Sequence, residues 1–380
     1  MSSVGNPPCG YVYTVARLRG MENHILDAAF FSRLMDSPTA DEAMKALGET
    51  SYAQWLSAGE MGFDKAIDAE ILATCRELGQ FVPDPELLVL FRMPYDFHNV
   101  KVLLKSLFKV RGGDPDGRRH DLLSPLGNLS TEELTEAIET EEYGGLPYKL
   151  GDVIPQCWAL WDQTKNAQAV DLLLDHCLFA AMLDVAEKLG VPDIVMWVRH
   201  KIDAENLKSA IRLARMNYDP ARGLPFFHEG GTFRAADAAH LLAEPQETWG
   251  KLLSHTDIGA LLNALADTDM QAALSDVSKL LDEYLIHTLE GARYSIDAPA
   301  NVLLYLLIKE AEARNLRIAL VCVAGGLNRE FARRLLSHVR EREHEQDPAD
   351  GGHWQLRDGA SLPGRGCQDR GAGRGEARHV

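Results

Sequence analysis

Cysteine is scarce in this chain. Its six cysteines, among 380 residues, form no Cys-x-x-Cys pair and show no spacing near that of a zinc site. Neither a disulfide framework nor a structural metal is therefore indicated. The cysteines are predicted to be reduced thiols of a cytosolic protein, because disulfides are rare in that compartment.

Long apolar runs are also missing. One of the longest, from Val302 to Ile308, is far too short to cross a bilayer. Residues 1–8 are polar, and no apolar core of a secretory signal follows them. Any attachment to a membrane is therefore expected to go through a partner protein.

Positive charge is in deficit. The chain has 56 acidic against 39 basic residues, a formal net charge of −17. Phosphate backbones and anionic lipids would repel such a chain as a whole, which disfavours a nucleic-acid role.

Motifs for cofactors and for catalysis are absent from the sequence. The Gly pairs at 229–232 and 323–328 lack the Gly-Lys-Ser/Thr of a P-loop and the GxGxxG frame, so they are predicted to be turns. No HExxH or GxSxG pattern occurs, and the thirteen histidines are scattered. The sequence therefore predicts no catalytic, cofactor-binding or metal-binding residue.

What the chain does contain is one motif written three times. Each copy reads acid, two variable positions, Asn, aliphatic, base. The acid, amide and base of the three copies are Asp96, Asn99 and Lys101; Asp203, Asn206 and Lys208; and Glu312, Asn315 and Arg317. The asparagines follow one another at intervals of 107 and 109 residues, which indicates an internally repeated chain.

Each copy is typical of an amphipathic helix. From the aliphatic residue onward, apolar side chains recur at i, i+3, i+4 and i+7, which places them on one helical face. These faces are Val100, Leu103, Leu104 and Leu107; Leu207, Ala210, Ile211 and Ala214; and Leu316, Ala319, Leu320 and Val323. The acid and Asn, three residues apart, are interpreted as a repeated cap or packing contact in the architecture of each module, in preference to a repeated ligand site.

The repeat predicts three helical modules of similar size. The turn-rich stretch 111–119 is the clearest boundary, and the modules are assigned to residues 1–115, 116–224 and 225–345. Residues 346–380 are rich in Gly, Arg, Asp and Pro and are predicted to be a disordered tail.

Helical periodicity runs through most of the chain, whereas period-two alternation is almost absent, so an all-α fold is predicted. Ser130-Thr131-Glu132-Glu133 has the form of a capping box. The N-terminal helix is interpreted as a decayed fourth copy of the motif helix, with Val15–Leu18 aligned to Asn99–Val102. The predicted helices are 11–35, 41–47, 65–79, 86–110, 130–143, 156–190, 234–243, 246–264, 274–290 and one that begins near 298.

Four separated blocks carry a family resemblance. They are Tyr11–Met21, Leu47–Tyr52, Tyr95–Leu104 and Glu312–Ile318. In this order they resemble the family of C subunits of the V/A-type ATPases (ATP synthases), whose equivalent in the vacuolar enzyme is called the d subunit. Val15 departs from the Asn expected in the first block, and the tail after residue 345 has no counterpart.

The resemblance implies an all-α, funnel-shaped protein of three similar helical domains with pseudo-threefold symmetry. Such a protein would be a non-catalytic rotor component, a socket that joins the central axle subunits to the membrane proteolipid ring. The resemblance further implies one copy per complex, a monomer when isolated, no cofactor, and a peripheral position on the cytoplasmic face of the membrane.

Two alternatives stay open at the level of the sequence. One is an open helical-repeat scaffold that binds a protein partner along a concave face. The other is an all-α enzyme whose acidic pocket is built from Asp96, Asp203 and Glu312.

Overall fold

The computed structural model describes residues 10–56, 62–114, 116–265 and 274–337. Within these ranges the chain forms helices joined by turns and contains no β-strand, so the predicted all-α class is confirmed. The tail assigned to residues 346–380 lies outside the described residues.

The helices follow the chain in three groups. Before the first turn-rich stretch come α1 (Gly10–Glu22), α2 (Ala28–Asp36), α3 (Ala40–Leu47), α4 (Ala53–Leu56), α5 (Phe63–Leu78) and α6 (Glu86–Arg111). The middle group is α7 (Thr131–Glu139), α8 (Leu150–Thr164), α9 (Ala167–Leu189) and α10 (Pro192–Arg215). The last is α11 (Pro220–Gly223), α12 (Ala235–Leu241), α13 (Trp249–Leu252), α14 (Asp257–Leu265), α15 (Leu274–Glu290), α16 (Ala300–Gly325) and α17 (Arg329–Leu335).

The three copies of the motif lie in the long helices α6, α10 and α16. Each of these helices starts at a proline: Pro85 and Pro299 are N-cap residues, and Pro192 is the first residue of α10. Proline suits this position because its missing N–H would have no partner in the first turn. The prolines recur at intervals of 107 residues, the interval that separates the first two asparagines.

The predicted apolar faces of these helices point into the core. Val100, Leu207 and Leu316 are 0, 1 and 0% exposed, and the aliphatic positions three and four residues further on are also buried. Helix α16 is buried on every side from Ala300 to Lys309, and it packs against α1, α2, α3, α5, α6, α15 and α17. A helix that is apolar around its circumference belongs inside a protein core, and α16 occupies that place here.

The N-terminal helix predicted over residues 11–35 is in fact two helices. Helix α1 ends at Glu22 and α2 begins at Ala28, with Asp27 as its N-cap. The Asp27 carboxylate accepts a hydrogen bond from the Phe30 N–H at 2.8 Å, which satisfies a donor of the first turn. The apolar stripe continues through the break because both helices bury into the same core.

Two other predicted helices are also interrupted. The helix predicted over 156–190 is divided into α8 and α9 at Lys165, whose φ of 51° lies in the left-handed region, and Asn166 then caps α9. The helix predicted over 246–264 becomes a short 3₁₀ turn, α13 and α14. In the gap before α14, the Thr256 hydroxyl donates to the Leu253 carbonyl at 2.7 Å.

Within the described ranges, no helix is both long enough and apolar enough to span a bilayer.

Candidate functional site

The three motif asparagines make the same contact. In each case the side-chain Nδ2 donates to the carbonyl of one downstream residue, and Oδ1 accepts from the N–H of that same residue. The pairs are Asn99 with Ser124, Asn206 with His228 and Asn315 with Ser337. All three asparagines are 0% exposed, and the donor–acceptor distances lie between 2.6 and 3.0 Å. Each Asn thus fixes the segment that follows its helix.

The motif acids of the first two copies fix the start of the next short helix. Asp96 accepts from the Leu129 N–H at 2.9 Å, immediately before the N-cap of α7. Asp203 accepts from the Thr232 N–H at 3.0 Å and from its hydroxyl at 2.5 Å, just before α12. Both acids are almost completely buried.

The third acid makes the corresponding contact with the opposite end of the chain. Glu312 accepts from the Leu26 N–H at 2.5 Å, and Leu26 immediately precedes the N-cap of α2. It also accepts from the Tyr52 hydroxyl at 2.7 Å and from Lys309 Nζ at 2.7 Å. Helix α2 is therefore held by α16 in the way that α7 is held by α6 and α12 by α10.

Each motif base forms an ion pair across the molecule. Each base reaches an acid on a helix of another group, at 2.5, 3.3 and 2.5 Å in chain order. The pairs are Lys101 with Asp175 on α9, Lys208 with Asp282 on α15, and Arg317 with Asp68 on α5. The third pair returns from the last group of helices to the first. The bases thus join residue ranges that the sequence assigns to different modules.

The partner acids are functional positions that the sequence reasoning missed. Asp68, Asp175 and Asp282 follow one another at intervals of 107 residues. This spacing is visible in the sequence. An aliphatic residue precedes each aspartate and apolar residues stand three and four positions after it, but amphipathic helices commonly show this pattern, so it does not stand out as a motif. Only the pairing with the motif bases identifies them as a second repeated position.

Two glycines permit the close approach of the loops to the acids. A Cβ built on Gly127 would collide with an Asp96 carboxylate oxygen, and one built on Gly231 would collide with that of Asp203. Gly231 belongs to the Gly pair at 229–232, which contains a residue at φ +99°, Gly230, and is a turn as predicted. The glycines of this turn therefore serve the contact with Asp203.

Burial controls the protonation of the motif acids. Burial raises the pKa of Asp96 above its ordinary value, although hydrogen bonds from Leu129 and Asn128 oppose the shift. The same effect is stronger for Asp203, where burial raises the pKa to about 6 against the hydrogen bonds from Thr232. A general acid or base must reach its substrate, and these carboxylates are enclosed and already hydrogen-bonded. This arrangement opposes the reading of the motif as a catalytic pocket.

The cysteines and histidines offer no alternative site in the part of the chain that the structure describes. No group of three or more potential metal-ligating side chains occurs there. Cys75, Cys157, Cys177 and Cys322 are thiols. Burial raises the pKa of Cys75 to about 11 and that of Cys157 to about 12, which makes both thiols poor nucleophiles at neutral pH.

Comparison with known proteins gives one consistent result. The family model of the ATP synthase (C/AC39) subunit matches residues 14–335. The chain is 25% identical to the C subunit of the V-type sodium ATPase of Enterococcus hirae over 309 residues, which cover 80% of this chain and 91% of that protein. It is 24% identical over 339 residues to the C subunit of the A-type ATP synthase of Methanosarcina barkeri (82% and 89% coverage) and 27% identical over 232 residues to that of the V-type ATP synthase of Thermus thermophilus (59% and 68%).

Proposed function

Because this chain belongs to the ATP synthase (C/AC39) subunit family, a non-catalytic component of the rotary ATPases, we propose that it is the socket of the central stalk. In this role it joins the central axle subunits to the membrane proteolipid ring and passes rotation between them. It is a peripheral protein on the cytoplasmic face, present in one copy per complex and monomeric when isolated. It contributes no cofactor and no bond-making step of its own.

The proposed architecture is a closed ring of three units with pseudo-threefold symmetry, shaped as a funnel. The units are α2–α6, α7–α10 and α12–α16, and they correspond to the modules assigned to 1–115, 116–224 and 225–345. We call the contact between consecutive units a seam. In each seam, a motif acid holds the start of the short helix that opens the next unit. A motif base pairs with an acid on the helix that comes just before the motif helix of that next unit, which is α9, α15 or α5.

The ion pairs between the units support the ring architecture. The first unit is joined to the second by Lys101 and Asp175, and the third unit is joined back to the first by Arg317 and Asp68. The same kind of ion pair thus joins the first unit to the second, the second to the third and the third to the first, which is the connectivity of a closed ring. In an open solenoid the terminal units would have no such contact with each other, so the contact of Arg317 with Asp68 opposes the alternative of an elongated scaffold.

A closed ring suits a part that transmits torque. A single small interface would slip under load, whereas three similar seams around an axis divide the load among them. Each seam combines an ion pair with buried hydrogen bonds to backbone groups, whose loss would leave buried polar groups unsatisfied. The repetition thus distributes the load around the axis of the socket.

Affinity purification tests the assignment. The full chain carries a tag in its native host, membranes are solubilised in mild detergent, and the purified material is analysed by mass spectrometry. The proposal predicts that the proteolipid and the axle subunits are recovered together with this chain. The matched control is the same purification from cells that express the tag on an unrelated soluble protein. Recovery of neither partner, or of a soluble protein alone, would remove the socket assignment.

A further inference from the structure

One of the three seams is not crossed by the polypeptide. The chain passes from the first unit to the second between α6 and α7, and from the second to the third between α10 and α12. The third unit and the first lie at opposite ends of the sequence, so non-covalent contacts alone hold their seam together. Under torque this seam lacks the covalent connection that limits opening of the other two.

The residues at one matched position distinguish this seam. Six residues before the motif Asn stand Met93 and His200 in the first two copies, but Lys309 in the third. Across the seam, two residues after the partner aspartate, stand Cys177 in the first seam and Tyr284 in the second, whereas Glu70 stands there in the third. His200 lies beside the Tyr284 ring, with centroids 5.5 Å apart, whereas Lys309 Nζ lies 3.4 Å from Glu70. Among the three matched positions, only the non-covalent seam has a lysine–glutamate pair.

The lysine is the centre of a buried network. Lys309 is 3% exposed, pairs with Glu312 at 2.7 Å and lies 4.9 Å from the centre of the Tyr52 ring. Glu70 also accepts from Ser51 at 2.9 Å and from the indole N–H of Trp55 at 2.7 Å. One network therefore joins α16 of the third unit to α5 and to the segment around α4 in the first unit.

The protonation states favour a charged network. Burial raises the pKa of Glu70, but Lys309 and the hydrogen bonds from Trp55 and Ser51 outweigh it, so the pKa lies below its ordinary value. Burial and the neighbouring Glu312 raise the pKa of Tyr52 well above its ordinary value. Tyr52 is therefore a neutral phenol that donates a hydrogen bond to Glu312, and Glu70 is a carboxylate at neutral pH.

Stability alone does not account for buried charges in this position. The desolvation of two ions offsets much of their attraction, and apolar side chains of similar size often stabilise a core equally well. Buried charges can instead discriminate between alternative packings, because an alignment that separates Lys309 from Glu70 leaves a buried charge without this partner. A seam whose halves must find each other without a connecting peptide needs this discrimination, whereas the chain itself aligns the other two seams.

We propose that the seam between the third and the first unit is a clasp, locked by Lys309 between Glu70 and Glu312, and that it opens before the other two seams. This inference rests on the ring architecture given under the proposed function. Closing the clasp is then the last step that completes the socket.

Hydrogen exchange followed by mass spectrometry tests the clasp on the isolated full chain. Lys309→Met introduces the residue that the first seam has at the matched position, Met93, and leaves Glu70 and Glu312 without the lysine that pairs with them. The exchange of α2 and α5 is expected to accelerate about 100-fold, because removal of one partner of a buried ion pair is strongly destabilising. Helices α7 and α9, on the first seam, keep their wild-type exchange. The matched variant His200→Met, at the second seam, leaves α2 and α5 unchanged.

Two results would overturn the clasp. One is uniform acceleration over all three units in Lys309→Met, and the other is unchanged exchange in α2 and α5. If Lys309→Met does not fold, the milder variant Glu70→Gln removes the ion pair across the seam and leaves Lys309 paired with Glu312. It is predicted to fold with faster exchange in α2 and α5 only, and wild-type protection of these helices would refute the lock.

The outcomes also separate this inference from the proposed function. If the exchange pattern fails while the chain still purifies with the proteolipid and the axle, the clasp alone is wrong. If exchange is as predicted but neither partner is recovered, the rotor role is wrong and the clasp stands.

Discussion

Replacing the motif asparagines by alanine tests the repeated architecture. Asn206→Ala removes the amide that donates to the His228 carbonyl at 2.8 Å and accepts from the His228 N–H at 2.7 Å. Both backbone groups are enclosed, since His228 is 6% exposed and Asn206 is 0% exposed. An unsatisfied buried polar group costs about 1–3 kcal/mol, so the variant is expected to lose about 2–6 kcal/mol of the free energy of unfolding. A typical domain has only about 5–15 kcal/mol in total.

The assay is equilibrium unfolding in urea, followed by far-ultraviolet circular dichroism. Asn315→Ala breaks the same pair of hydrogen bonds to the buried Ser337 and is expected to lose a similar free energy, within about a factor of two. Asn99→Ala is expected to lose less, because Ser124 is only half-buried and water can reach its backbone groups. Asn23→Ala is the matched control, because Asn23 is exposed and its change should stay within about 0.5 kcal/mol. A loss below about 1 kcal/mol at Asn206 or Asn315 would refute the reasoning that these two contacts are equivalent.

Two further predictions concern the second copy of the motif. Gly231→Ala places a methyl group against the Asp203 carboxylate and should lower the melting temperature, whereas Gly144→Ala, which meets nothing within 4 Å, should not; thermal unfolding measures both. Asp203 has its pKa raised from 3.8 to about 6, so the folded state binds a proton that the unfolded state has lost between these values. The free energy of unfolding should therefore fall as pH rises from 3.8 through about 6, and Asp203→Asn should abolish this part of the slope in urea unfolding at several pH values. An unchanged slope in Asp203→Asn would contradict the assignment of the proton to this carboxyl group.

The long motif helices could be predicted from the sequence because their positions repeat with their chemistry. The acid, Asn and base stand at fixed offsets from an apolar face. Val100, Leu207 and Leu316 are buried, and so are the aliphatic positions three and four residues after each of them. The breaks within the predicted helices could not be predicted in this way. The apolar periodicity runs through the boundary of α8 and α9, and nothing in the residue type of Lys165 indicates its left-handed backbone.

The long-range contacts of the motif could not be predicted for a different reason. Amphipathic periodicity identifies which face is buried but not the helix against which it packs. The contact of Glu312 with Leu26 joins residues 286 positions apart, and no local pattern specifies such a pairing. The aspartates at 68, 175 and 282 recur at a fixed interval, yet their role became apparent only from the ion pairs with the motif bases.

A cryo-electron microscopy map of the purified membrane complex that contains this chain tests the central claim most directly. The account predicts that the chain lies on the proteolipid ring with the axle at its centre, and that α6, α10 and α16 are related by successive rotations of a third of a turn. A chain at the periphery of the complex, or motif helices that no common axis relates, would contradict it.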